Sequence, residues 1–218
     1  MRADDVIDCH VLVIGSGGAG VRAAIEASGY GDVVLITKTV PGKGGCTPMA
    51  EGGYNAVLKK QDSCEGHFSD TMKGGAYLND PGLVRTLVAE SPARIADLIR
   101  WGAVFDVTED SQVCQRPFGG QRFPRTCYAG DRTGHEMMAT LIDRLGLSDV
   151  RVLSEVTALD LLREGNRVIG ALAIDECGDL LAVTADAVVL STGGGTRIYD
   201  ISTNSSSGTG DGFAIGYR

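Results

Sequence analysis

The residues with the clearest chemical purpose in this chain are glycines. Gly15, Gly17 and Gly20 have the G-x-G-x-x-G spacing, with Ser16, Gly18 and Ala19 between them. The apolar run Val11-Leu12-Val13-Ile14 leads into them, and a helix-forming stretch from Ala19 to Ser28 follows. Between a strand and a helix, this spacing has a physical function. The first glycine permits a tight turn, the second lets backbone approach a pyrophosphate, and the third lets the helix pack close to the sheet. Unpaired N–H groups at the positive helix end then face the phosphates.

A site of this kind usually has a carboxylate about 20 residues further on, bonded to the ribose hydroxyls. Here the second apolar run, Val33 to Thr37, ends in Thr37-Lys38-Thr39, without a carboxylate. Two readings are open. Either Lys38 meets a ribose 2′-phosphate, as in an NADP site, or Thr37 replaces the carboxylate and the ligand is FAD. The segment from Pro41 to Gly53 favours FAD. A nicotinamide fold usually has a short connection at this point, whereas this loop is long, lined with glycine and able to run beside an extended cofactor.

Other reactive side chains are scattered. Six cysteines (Cys9, Cys46, Cys64, Cys114, Cys127, Cys177) form no C-x-x-C pair, so neither a zinc nor an iron–sulfur site can be read from them. The simplest reading is reduced thiols in the cytoplasm. His10 reads as preceding the first strand, His67 as part of a polar segment and His135 as part of a capping turn. None has a partnered base or nucleophile. No catalytic residue and no metal ligand is assigned.

The elements that position the glycines follow from periodicity. Val11–Ile14, the helix and Val33–Thr37 make a β-α-β unit. Asp80-Pro81 predicts a helix start, and Ser91-Pro92 a second one, ending at Gly102. Thr133 and Glu136 read as a capping box for a helix ending at Gly146. Strands are predicted over 150–153, 157–162, 168–174, 180–184 and 187–190, with hairpin turns at Glu164-Gly165-Asn166 and Gly178-Asp179. The last strand delivers Ser191-Thr192-Gly193-Gly194-Gly195, and a helix is expected from about Asp211. The 218 residues have 43% hydrophobic and 22% charged residues, which is ordinary for a globular protein. A formal charge of −8 excludes the basic footprint of a nucleic-acid binder. No apolar run approaches the length of about 18 needed for a membrane span, and Met1-Arg2-Ala3-Asp4-Asp5 is too polar for a secretory signal.

Several segments together resemble the flavoprotein family of fumarate reductase, succinate dehydrogenase and L-aspartate oxidase. They are Gly44-Gly45-Cys46-Thr47-Pro48-Met49-Ala50-Glu51-Gly52-Gly53-Tyr54-Asn55-Ala56, Asp70-Thr71 with Gly74-Gly75, Gln115-Arg116-Pro117-Phe118-Gly119-Gly120, Asp131-Arg132-Thr133-Gly134-His135, Ser191-Thr192-Gly193-Gly194, and Asn204 with Thr209-Gly210-Asp211-Gly212. They span nearly the whole chain in the family's order. The resemblance implies an α/β fold, an FAD-type Rossmann (glutathione-reductase-like) domain over residues 1–218 with a parallel sheet and a small antiparallel β-meander. It places Gly15 to Gly20 on the FAD pyrophosphate. Thr37, Lys38 and Thr39 would lie by the adenosine ribose. Gly45, Cys46, Thr47, Ala50, Glu51, Gly52 and Gly53 would run along the flavin. Val156 would meet the adenine end through its backbone, Thr192 and Gly193 the phosphates, and Asp211 the flavin side. Phe118, with Gly53, would face the substrate pocket.

The resemblance also implies hydride exchange between FAD and a C4 dicarboxylate such as fumarate or succinate, with an iron–sulfur partner subunit in some members. The alternatives are the FAD domain of an L-aspartate oxidase and a non-catalytic flavin-binding polypeptide. Two departures stand out. Respiratory members attach FAD through a histidine where this chain has Cys46, so FAD is expected to bind non-covalently, the alternative being a thioether to Cys46. The family's substrate histidine, arginines, capping domain and C-terminal helical domain lie beyond Gly210-Asp211-Gly212. The chain is therefore expected to be C-terminally truncated and inactive by itself. The protein is expected in the cytoplasm, at the membrane only through partners.

Overall fold

The computed structural model describes residues 5–218, and the chain divides into two compact units, Met1–Met49 with Leu141–Arg218, and Ala50–Thr140. The first unit is built on a six-stranded sheet. Strand β1 (Asp5–Ile14) runs into helix α1 (Gly18–Ala27) and back into β2 (Val33–Thr37). The later strands are β6 (Val150–Ser154), β7 (Thr157–Glu164), β8 (Arg167–Ile174) and β9 (Leu180–Leu190). Their order is β6-β2-β1-β9-β8-β7, parallel from β6 to β9 and antiparallel from β9 to β7.

The two predicted strands 180–184 and 187–190 are one strand. Leu180 to Thr184 pair with β8 on one edge, while Leu181 to Leu190 pair with β1 on the other. Ala185 and Asp186 therefore continue a ladder instead of turning, and the antiparallel meander is the far half of the same sheet. His10 lies inside β1, because the ladder to β9 extends that strand back to Asp5. Alternation sorts the core. Leu12, Ile14, Val34, Ile36, Val156 and Val183 form one apolar cluster. Val13, Leu35 and the α1 residues Val21 and Ala24 are also fully enclosed. The last helix, α5 (Asp211–Tyr217), packs on β7.

The second unit has little sheet. Strands β3 (Tyr54–Asn55), β4 (Gln115–Arg116) and β5 (Thr126–Cys127) are two residues each and form an antiparallel sheet in the order β3-β5-β4. Helices α2 (Cys64–Gly74) and α3 (Pro81–Arg100) pack on each other, and helix α4 (Thr133–Gly146) begins here and continues into the first unit's residues. Asp80 caps α3, its Oδ1 accepting from the N–H groups of Gly82 at 2.7 Å and Leu83 at 3.0 Å. The second helix start predicted at Ser91-Pro92 does not occur, and α3 is continuous through Pro92. Proline removes the N–H that would have bonded the carbonyl four residues back. That carbonyl, on Val88, instead accepts from the Ser91 hydroxyl at 3.3 Å and the Cys64 thiol at 3.8 Å.

Thr133 and Glu136 do not form a capping box. Thr133 is the first residue of α4, and its hydroxyl accepts from the Ala129 N–H at 3.1 Å and donates to the Glu51 carbonyl at 3.4 Å. Glu136 accepts from the Val104 N–H, and the Gly134 N–H is satisfied by the Ala50 carbonyl at 2.7 Å. Backbone from other segments has taken the role the side chains were expected to fill.

A buried ion cluster holds this unit. Arg125, 1% exposed, grips Asp62 with two 2.8 Å bonds and Asp70 with one of 2.7 Å, and Arg122 adds a 2.6 Å bond to Asp70. The Arg125 hydrogen bonds hold the Asp62 carboxyl below its usual range. Burial pushes the Asp70 carboxyl up, but the bonds from Arg125 and Arg122 together outweigh it and bring it down to about 2. His67 is buried beside them, and burial with the Arg125 charge lowers its pKa, favouring the neutral imidazole.

Candidate functional site

The site in the first unit is made where parallel strands end. The Gly15 N–H donates to the Ile36 carbonyl and the Ser191 N–H to the Ile14 carbonyl, both at 2.9 Å. The residues after β1, β2 and β9 therefore emerge side by side. Gly15 has φ +107°, and a Cβ there would collide with the Ser191 carbonyl. A Cβ on Gly20 would collide with the Gly15 carbonyl, so the first turn of α1, including Gly18 and Ala19, sits against the strand ends. Gly17 differs: a Cβ there would meet only the Thr47 hydroxyl, at 3.7 Å. Gly17 also caps α1 without a side-chain hydrogen bond, and Thr47 accepts from the Gly18 N–H at 3.2 Å. Exposed N–H groups at a helix start, with room in front of them, suit a phosphate.

A groove runs from this turn. Gly15, Ser16 and Gly17 line it together with Thr37, Lys38 and Thr39 at the end of β2, and with Gly45, Cys46 and Thr47. Val156, Thr192, Gly193 and Asp211 complete the set brought together from the sequence. The Val156 N–H donates to the Thr37 carbonyl at 3.0 Å, fixing that backbone to the end of β2. The Thr37 hydroxyl is buried and shares a 2.7 Å hydrogen bond with Ser16. Lys38 and Asp211, expected at opposite parts of the cofactor, are paired with each other at 2.5 Å, and Thr209 bonds to both. Burial alone would raise the Asp211 carboxyl, but the Lys38 and Thr209 bonds hold it below the usual range.

Several lining residues carry no sequence signal. The Ser207 hydroxyl accepts from the Gly45 N–H at 2.8 Å and so holds the loop against the groove, yet it sits in a plain serine run. Thr157 and Ala158 line the groove without such a signal as well, whereas Ser191 and Gly194 in the lining belong to the Ser191–Gly194 segment already read from the sequence.

Ala50, Glu51, Gly52, Gly53 and Phe118 belong to the second unit. Arg116 donates to the carbonyls of Glu51 at 3.0 Å and Gly52 at 2.8 Å, and its guanidinium lies 4.3 Å from the centre of the Tyr128 ring. The Phe118 ring covers Gly52, where an added Cβ would stand 3.1 Å from it, and Phe118 remains 54% exposed. Gly53, at φ +119°, lies against the Cys127 carbonyl.

The groove fits an extended dinucleotide: a glycine phosphate turn, a strand end for the ribose, and open backbone at Gly45 and Gly193, where nothing lies within 4 Å of an added Cβ. A family model for the FAD binding domain matches residues 10–218. The chain belongs to this family. It is an FAD-binding domain of the fumarate reductase and succinate dehydrogenase type of flavoprotein, and FAD is its cofactor. An FAD-dependent oxidoreductase of Methanocaldococcus jannaschii is 48% identical over 95% of this chain and 39% of its own length. One subunit of the CoM/CoB fumarate reductase of Methanothermobacter marburgensis is 45% identical over 98% of this chain and 40% of its own. The solved Sdh1 complex of Mycobacterium smegmatis superposes with a TM-score of 0.93 at 38% identity, over 97% of this chain and 38% of the other. This FAD-binding domain thus spans about two-fifths of the length of the curated relatives it matches. Among the described residues, no helix is long and apolar enough to cross a membrane.

Proposed function

We propose that this domain forms the FAD site of an oxidoreductase that interconverts fumarate and succinate, or a closely related C4 dicarboxylate pair. The observation that carries the reading is the phosphate turn of Gly15–Gly20 joined to the ribose and flavin segments in one groove, in a chain whose relatives include a named fumarate reductase. Bound FAD would supply hydride exchange with the dicarboxylate. The chain's own residues bind and orient. Gly15, Ser16, Gly17 and the first turn of α1 hold the pyrophosphate. Thr37 through Thr39 and the Val156 backbone take the adenosine. Gly45, Cys46 and Thr47 flank the flavin. In the second unit Phe118 and Gly53 would face the substrate, and Arg116 fixes the loop that carries Gly53 by holding the Glu51 and Gly52 carbonyls.

FAD is bound without a covalent link. The residues lining the groove include Cys46 but, among the described residues, no histidine. Acid precipitation of the loaded protein should release the flavin to the supernatant, and flavin retained on the polypeptide overturns this point. An iron–sulfur partner passes electrons to or from the site, and the protein works in the cytoplasm, reaching the membrane only through partners.

Steady-state assay tests the reading. Carried in a polypeptide of its relatives' length and loaded with FAD, this domain should reduce fumarate with a reduced viologen dye. Flavin-loaded protein that neither reduces fumarate nor oxidises succinate overturns the dicarboxylate assignment, and turnover of L-aspartate instead would replace it with the oxidase. No residue of this chain is assigned to proton transfer, so the 218-residue chain alone should take up FAD without turnover.

A further inference from the structure

The Lys38–Asp211 pair bears on the choice of nucleotide. We infer that by holding the Lys38 ammonium, Asp211 reserves the ribose end of the groove for a nucleotide with a free 2′-hydroxyl and turns away one with a 2′-phosphate. The inference deepens the cofactor reading above and rests on it.

Lys38 follows directly on β2, and the C-terminal end of that strand is where a dinucleotide fold meets the ribose. The residue usually found there is a carboxylate, which bonds the 2′-hydroxyl and repels a phosphate. This chain has Thr37 instead, and the Thr37 hydroxyl is buried and committed to Ser16. A lysine in the next position is a point charge suited to phosphate. Left free, it would invite the wrong nucleotide. A carboxylate arrives from elsewhere in the sequence to prevent this: Asp211, 173 residues on, bonds the ammonium at 2.5 Å. Thr209 takes a second of its three donors and also donates to Asp211 at 2.9 Å. The positive charge is thereby neutralised, and a like charge stands where a 2′-phosphate would approach, which is discrimination by repulsion. The two side chains are 29% and 37% exposed, so water and salt screen them only in part.

Calorimetric titration of the full chain with ADP-ribose and with 2′-phospho-ADP-ribose tests this. The wild type should prefer ADP-ribose by about tenfold or more, and Asp211→Asn should bring the phosphorylated probe up by about tenfold. That gain should shrink at high salt and vanish in the double variant Asp211→Asn, Lys38→Met. Asp211→Ser serves if the asparagine variant does not fold, and the wild-type preference needs no variant. Failure of the wild type to take up FAD would overturn the cofactor reading itself. FAD uptake with no preference between the two probes, or a folded Asp211 variant without the gain, overturns the role of Asp211 alone.

Discussion

In the unit of Met1–Met49 with Leu141–Arg218, parallel strands are hydrogen-bonded to their ends and the enclosed side chains are almost all apolar. In the Ala50–Thr140 unit the strands are two residues long, and the largest fully buried side chain is charged, Arg125. The first unit takes its shape from backbone rules that many apolar sequences satisfy. The second depends on one polar set that works only when complete, because a buried charge without its partner is far more costly than an apolar replacement.

The sharpest way to break that contrast is at Arg125. Arg125→Met should cost about 3–5 kcal/mol by leaving the buried Asp62 carboxylate without its cation and Asp70 with Arg122 alone, read as a lowered denaturant midpoint. Replacing Arg125, Asp62 and Asp70 together with Met, Leu and Leu should restore much of the loss. If the triple variant is no more stable than the single one, the cluster does more than satisfy itself.

The counterpart in the first unit is steric. Gly20→Val should cost up to about 3 kcal/mol, since the added atoms meet backbone that cannot yield, and it should abolish FAD uptake measured by flavin fluorescence. Gly146→Ala, inside α4 and with nothing within 4 Å of the new Cβ, should leave FAD uptake unchanged and raise stability by up to about 1 kcal/mol.

Acid separates the units next. The folded Asp70 carboxyl sits at about 2, below the unfolded value of about 3.9. Its stabilisation is therefore complete above about pH 5 and is lost progressively as pH falls through about 2, amounting to roughly 2–3 kcal/mol. Asp70→Asn should flatten that part of the stability–pH curve.

The smallest effect concerns α3. Ser91→Ala removes the hydroxyl that satisfies the Val88 carbonyl and should cost about 1 kcal/mol. In a Pro92→Ala background, where a backbone N–H takes over, the same change should cost less.

The same contrast explains what could be read in advance. The turn at Gly15–Gly20 and the full extent of β2 follow from local rules, glycine where no Cβ fits and an unbroken apolar run, and the α4 terminus at Gly146 follows from glycine's poor helix propensity. The continuity of α3 through Pro92 does not, because it depends on a hydroxyl and a thiol reaching one carbonyl from different segments. Nor does the single strand β9, whose second half is held by β1 at the far end of the sequence. Arg125 gave no warning, since an arginine between Pro124 and Thr126 has no periodicity that announces burial. In the groove, the glycines and Thr37 were legible by spacing, whereas the Lys38–Asp211 pair and Ser207 arise only from the folded path.

The pairing of Ser191 with Ile14, 177 residues apart, has a consequence for the timing of synthesis. The nascent chain presents the Gly15–Gly20 turn almost at once, yet β1 lacks a neighbour on one side until β9 leaves the ribosome. Until then a strand edge carrying Leu12 and Ile14 stays open, the kind of surface that sticks to other chains and that chaperones shield. Closing so long a loop also makes the central pairing a slow, late event. Flavin capture must wait for it, so loading of this domain follows translation and is decided by its last-made strand.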